Sequence, residues 1–208
     1  MKTTMKSFFE EVLKIEYTSN TFKATDHESI VNRLLVKHGY NEVTKEEAQM
    51  RVSKKVRLTD DVYLKCLSEG EFVPQPYGSQ NHPDFMVKHN NKLVKIECKA
   101  SKGNAPTYNT TAPVSDSIYI FTSKKYGTTI FYGCDVLDEE MRESYKQMEK
   151  ELWDVVSRYQ ETDLWKNNDR GFSFYMRNMF IQSGGGKKCN YFTHPDRKYC
   201  EQQVIDSF

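Results

Sequence analysis

The sequence predicts an α/β protein with a mixed central β-sheet flanked by helices. Three observations lead there. Residues 83–99 read as a β-hairpin, residues 117–121 and 129–132 read as two further strands, and apolar residues at helical spacing recur before and after this block. A length of 208 residues suits one domain spanning the chain, with residues 70–135 as its sheet core and 168–208 as C-terminal elements. Aromatic residues make up 13%, enough for a sizeable core and too many for a disordered chain.

The elements follow in order. Phe8, Phe9, Val12, Leu13 and Ile15 give residues 5–16 the pattern of a first helix. Thr25-Asp26-His27-Glu28 has the form of a capping box ahead of Ile30, Val31, Leu34 and Leu35, and Gly39 suits the residue that ends a helix. Thr44-Lys45-Glu46-Glu47 opens a third helix by the same logic, running towards Arg57. Its Arg51, Lys54 and Lys55 either meet a phosphate backbone or form a solvated face. A short helix over 59–69 ends at Gly70. Residues 73–82 are a loop rich in Pro, Gly and Asn, in which Gly78 lets the backbone approach a phosphate closely.

The hairpin carries the chemistry. Asn tolerates the positive φ of a two-residue turn, so the turn is centred on Asn90-Asn91. That register sets Phe85 opposite Ile96 and Val87 opposite Val94, two apolar pairs on one face. On the other face it sets Asp84 opposite Glu97, with Lys99 two residues further along and pointing the same way. Like charges directly opposite each other are destabilising. A divalent cation would offset that repulsion, and Lys99 alone would offset part of it.

At these residues the sequence resembles the PD-(D/E)xK nuclease superfamily, which includes most type II restriction endonucleases. Pro83-Asp84 matches the first half of the motif and Glu97-Cys98-Lys99 the second. The resemblance implies a restriction-endonuclease-like fold and a catalytic set of Asp84, Glu97, Lys99 and Glu28. Asp84 and Glu97 would hold Mg²⁺, the Cys98 carbonyl would complete the metal site, and Lys99 would position or deprotonate the attacking water. Glu28 has two readings, the capping-box acid or a helix-borne Glu that reaches the metal site, as in many nucleases of this superfamily. Gly78-Ser79-Gln80-Asn81 looks like the approach to the catalytic hairpin in several small restriction enzymes, which makes Ser79, Gln80 and Asn81 candidates for DNA contact. His82 receives no role.

Residues 100–113 read as too polar and too broken by Pro and Gly for an element. Tyr108-Asn109 and Pro113 there resemble the aromatic-Asn pair and Pro that follow the second motif half in type II enzymes, so Lys102 and Asn109 become candidates for DNA contact. Residues 138–166 form a long helical pattern, with Met141, Tyr145, Met148, Leu152, Val155, Val156 and Tyr159 expected to pack on the sheet. In a dimer this helix is one candidate interface. Asp138, Glu139 and Glu140 suit its positive N-terminal end. Residues 171–181 read as a late strand that leads into a glycine-rich basic loop. Arg170, Arg177, Asn178, Lys187, Lys188, Arg197 and Lys198 are candidates for base and phosphate contacts.

A net charge of +1 argues against a polycation that coats nucleic acid, though not against a localised basic cleft. The five scattered cysteines read as reduced cytoplasmic thiols. Cys189, His194 and Cys200 match no zinc spacing. No signal peptide and no membrane span are expected. The sequence therefore predicts a Mg²⁺-dependent type II restriction endonuclease that cuts double-stranded DNA at a short specific sequence, as a homodimer on a palindrome. A structure- or damage-specific repair nuclease of the same fold and a non-catalytic DNA-binding protein are the alternatives.

Overall fold

The computed structural model describes residues 4–17, 24–109, 111–174, 176–182 and 191–208. Helices α1 (Met5–Val12) and α2 (Ala24–Lys37) lead into a short strand β1 (Asn41–Glu42). Helices α3 (Lys45–Met50) and α4 (Asp60–Cys66) precede strands β2 (Glu71–Pro74), β3 (Phe85–His89) and β4 (Lys92–Ser101). Strands β5 (Thr107–Asn109), β6 (Ile118–Ser123) and β7 (Gly127–Tyr132) follow, and after them helices α5 (Glu139–Gln160) and α6 (Asp163–Lys166), strand β8 (Met179–Ile181) and helix α7 (Arg197–Asp206). Six strands form one mixed sheet in the order β1-β2-β3-β4-β6-β7. The β1–β2 and β4–β6 pairs are parallel and the other three antiparallel. β5 and β8 form a separate two-stranded ribbon.

The hairpin register agrees with the sequence. Phe85 pairs with Ile96 and Val87 with Val94, and both Asn90 and Asn91 have positive φ (51° and 57°). Alternation along the strands then sorts the side chains onto two faces. One face carries Phe72, Phe85, Val87, Ile96, Ile118, Ile120 and Ile130 beneath α1, α2 and α7, whose Phe8, Phe9, Val31, Leu35 and Val204 are wholly buried there. The opposite face carries two separate clusters. Val73 and Met86 pack under α3 and α4 with Leu58 and Tyr63, while Tyr119, Phe121 and Phe131 pack with Tyr108, Tyr191 and Phe192. Between the two clusters, on the central strand β4, the same face carries Lys95, Glu97 and Lys99.

Several elements differ from the sequence expectations. α1 stops at Val12, short of residue 16. α2 begins at Ala24, which puts Thr25 inside the helix and rules out the capping-box reading of Glu28. α3 keeps its reciprocal Thr44–Glu47 cap but ends at Met50 rather than near Arg57. Gln49 Nε2 donates to the Ser53 and Val56 carbonyls and folds the following chain back as a loop. β4 runs on to Ser101 and residues 107–109 are a strand, because β6 and β8 supply hydrogen-bonded partners that outweigh the local polar composition. α5 does not lie on the sheet. Arg142 buries its guanidinium against the Pro113 and Leu137 carbonyls at the helix N-terminus, and beyond it Met148, Leu152, Val155 and Tyr159 are exposed. Both sheet faces are already covered by other elements. Among the described residues of 171–181, only 179–181 form a strand.

Candidate active site

The site is built where β3 begins and β4 approaches its end. The turn closes on a hydrogen-bonded pair at His89–Lys92, and such pairs alternate along an antiparallel ladder, so Pro83 and Cys98 would be the next in that series. Pro83 has no N–H to give to the Cys98 carbonyl. The Cys98 N–H instead donates to Asp84 Oδ2 at 2.7 Å, which fixes the carboxyl at the sheet end. The motif proline thus interrupts the ladder and the motif aspartate occupies the gap.

Glu97 lies opposite that gap, buried and held on both oxygens. Lys99 Nζ donates to Oε1 at 2.6 Å, and His82 Nδ1 contacts Oε2 at 2.9 Å. A carboxylate accepts, so the hydrogen sits on Nδ1. His82 Nε2 then meets Ser117 Oγ at 2.8 Å, and its ring stacks on Tyr119 with centroids 6.1 Å apart. Glu28 projects from the first turns of α2 and accepts from Gln75 Nε2 at 3.2 Å.

The electrostatics divide the carboxyls. Burial, and then the charge of Glu97, push the Asp84 carboxyl well above its ordinary value; the Cys98 amide pulls the other way. Burial also pushes Glu97 up, but the His82 hydrogen bond and the Lys99 and His82 charges together outweigh it and hold Glu97 below its ordinary value. Burial raises Glu28, with a further upward push from Glu97 that outweighs the Lys99 charge. Three carboxyls therefore act on one another across a site with one lysine at its centre. Among the described residues, no three His, Cys, Asp or Glu side chains already converge as a metal cluster. The donor chemistry nevertheless fits a hard cation. Asp84, Glu97 and the Cys98 carbonyl offer only oxygen, and a cation there would favour the ionised form of Asp84 that burial and Glu97 oppose.

The other sequence-predicted residues scatter. Ser79, Gln80 and Asn81 lie exposed in the loop before Pro83, but Asn81 spends its side-chain amide on the Tyr77 carbonyl. Lys102 and Asn109 are exposed beyond the end of β4 and on β5. Arg177 and Asn178 line a separate cleft of about 560 Å³ against α5, where Asn178 bonds Glu149. Lys187, Lys188 and Cys189 lie outside the described residues. Arg197 and Lys198 both grip the buried Glu201, and Arg197 also reaches the Thr128 carbonyl. Arg51 is likewise committed to Glu71 and the Cys66 carbonyl.

Sequence reasoning missed His82, Gln75 and Ser117. His82 carried a partial signal in its closeness to the motif, two residues before Asp84, and it reaches Glu97 from the loop ahead of β3. Gln75 and Ser117 carried none, since they reach the site only through the docking of α2 and the β4–β6 pairing. No protein-family model, curated protein or solved structure matches the chain.

Proposed function

We propose that the chain is a Mg²⁺-dependent endonuclease of the PD-(D/E)xK superfamily that hydrolyses phosphodiester bonds of double-stranded DNA, and more finely a type II restriction endonuclease. One observation carries the proposal: Asp84, fixed by the Cys98 amide, and Glu97, gripped by Lys99, meet at the end of one hairpin on a polar strip between two apolar clusters. Bound Mg²⁺ would supply charge neutralisation at the phosphate and a more acidic attacking water. Asp84, Glu97 and the Cys98 carbonyl are the groups that would hold it. Lys99, as the ammonium that grips Glu97, orients the water. His82 keeps Glu97 ionised and aimed. Glu28, supported by Gln75, stands by as a third carboxyl. Water attacks the phosphorus in line as the ester P–O bond opposite breaks; the water's proton passes to solvent, the leaving oxygen takes one from solvent, and the fixed positive charge of Lys99 favours the extra charge that builds at the phosphate.

The finer reading includes a homodimer on a palindromic site in the cytoplasm. On α5, Met141, Tyr145, Met148, Leu152, Val155 and Tyr159 alternate by four and three residues, the seam of a coiled coil, and most are exposed. Laid antiparallel on a second copy, Met141 faces Tyr159, Tyr145 faces Val155 and Met148 faces Leu152, so the seam is self-complementary as a two-fold axis requires. No helix among the described residues is long and apolar enough to cross a membrane.

The test is incubation of the purified protein with long unmethylated duplex DNA in Mg²⁺ and in EDTA. Discrete fragments in Mg²⁺ alone are expected. A smear would keep the nuclease and refute the restriction enzyme. Intact duplex together with cleaved branched or damaged DNA would favour a repair nuclease. Binding with no cleavage in Mg²⁺ or Mn²⁺ would refute catalysis.

A further inference from the structure

We propose that the groove beside this site binds the sugar–phosphate backbone of one DNA strand through Lys45, Lys54, Lys55 and Arg57, an assignment that rests on the nuclease reading and extends it. The groove holds about 1000 Å³. Lys45 stands at the start of α3, and the other three cations stand on the loop between α3 and α4. All four are exposed, and among the described residues none has a salt bridge. That sets them apart from Arg51, Lys95 and Arg197, which are each bound to a carboxylate. In a chain of net charge +1, four such cations in one groove are a strong local concentration.

The groove is preformed. Its loop is anchored by Leu58, which is buried in the cluster under α3 and α4. Its two walls are pinned together twice: Tyr63 Oη donates to the Pro76 carbonyl at 2.8 Å, and Tyr77 Oη donates to Asp60 at 2.5 Å. Asp60 is the acid that would repel a phosphate there, and Lys95 neutralises it at 2.8 Å. Asp61 is the acid left without such a partner on the lining, among the described residues. The groove also leads to the chemistry. His82 lines one wall, and the same ring bonds Glu97. A strand lying along the cations therefore arrives at the carboxylates. Lysine and arginine contacts to phosphate fix position and carry no sequence information, so this surface supplies affinity and register, and base reading belongs elsewhere.

The experiment measures binding of a short fluorescein-labelled DNA duplex to the full chain carrying Lys99→Ala, with Ca²⁺ present, as a function of salt. It is repeated with Lys45→Gln, Lys54→Gln, Lys55→Gln and Arg57→Gln added together, and with Lys14→Gln and Lys92→Gln added as a control away from the groove. Each lost phosphate contact lowers the slope of log K against log salt by about 0.9. Four lower it by about 3.6, so between about 50 and 200 mM salt the parent loses roughly 150-fold more affinity than the groove variant. The control keeps the parent's slope. An unchanged slope with affinity within twofold would overturn the groove, as would a parent that binds no DNA, or polyglutamate competing as well as DNA at equal charge. Thermal unfolding of the groove variant excludes misfolding as the cause of a loss. The two readings separate: a parent with Lys99 restored that never cuts, but whose groove variant loses slope, refutes the nuclease and leaves the groove standing.

Discussion

Replacing Asp84 by Asn should make the metal-free protein more stable while destroying its activity. Asp84 is held at a sheet end with one backbone donor and faces a second buried carboxyl that stays ionised. Its carboxyl therefore titrates well above the ordinary 3.8, with burial the largest cause. A raised acid is neutral in the fold and ionised in the unfolded chain, so the unfolded chain binds fewer protons and stability falls as pH rises above 3.8. Every tenfold weakening of the acid on folding costs the native protein about 1.4 kcal/mol, so a weakening of only about a hundredfold costs about 3 kcal/mol at pH 8. The Asn oxygen still accepts from the Cys98 N–H, and an amide carries no charge for Glu97 to repel. For a chain of this size, about 3 kcal/mol is about 6–12 °C in Tm. The assay is thermal unfolding of both proteins in EDTA at pH 8 and at pH 5, then in Mg²⁺. Asp84→Asn should melt higher at pH 8, the advantage should shrink at pH 5, and Mg²⁺ should raise the wild type alone. A Tm at or below wild type at pH 8 would refute the reasoning, as would an equal advantage at both pH values.

Lys99→Ala should lower the cleavage rate at least about a hundredfold with duplex affinity little changed; cleavage at the normal rate would sink the role given to Lys99. His82→Ala removes one of the two donors to Glu97 and should lower kcat about 10–100-fold, and a rate within twofold of wild type would remove His82 from the site. His27 is wholly buried, and burial lowers its imidazole from 6.5 to about 4. It stays neutral in the fold while the unfolded chain takes up a proton, so stability present above pH 6.5 is lost as pH falls through about 4, by about 2 kcal/mol at pH 5. Denaturant titrations of the wild type and His27→Asn, which should lack that component, give the comparison. Leu152→Glu places a charge in the exposed α5 seam and should convert a dimer into a monomer by analytical ultracentrifugation; an unchanged mass would move the interface off α5.

The centre of the protein was legible in the sequence because its determinants are local. A two-residue turn at Asn90-Asn91 fixes a register, and a register of period two fixes which side chains share a face. Asp84, Glu97 and Lys99 therefore followed from the residue order, as did the apolar Phe85–Ile96 and Val87–Val94 pairs. The Thr44–Glu47 and Asp138 caps were equally local, since each bonds within a single turn.

Only the tertiary structure decided the rest, and in each case the deciding partner is distant in the chain. Glu28 left its capping role for Gln75, 47 residues away. His82 gained its place when β6 brought Ser117 beside β4. Arg51, Arg197 and Lys198 read as free cations until Glu71 and Glu201 claimed them, while Lys54, Lys55 and Arg57 kept no salt bridge among the described residues along the groove. α5 carried the spacing of a buried helix, yet the sheet it was expected to cover had already been filled by other elements. Periodicity states that a helix has an apolar face. It does not state what occupies the space opposite, because that is settled by competition among all the elements for one sheet.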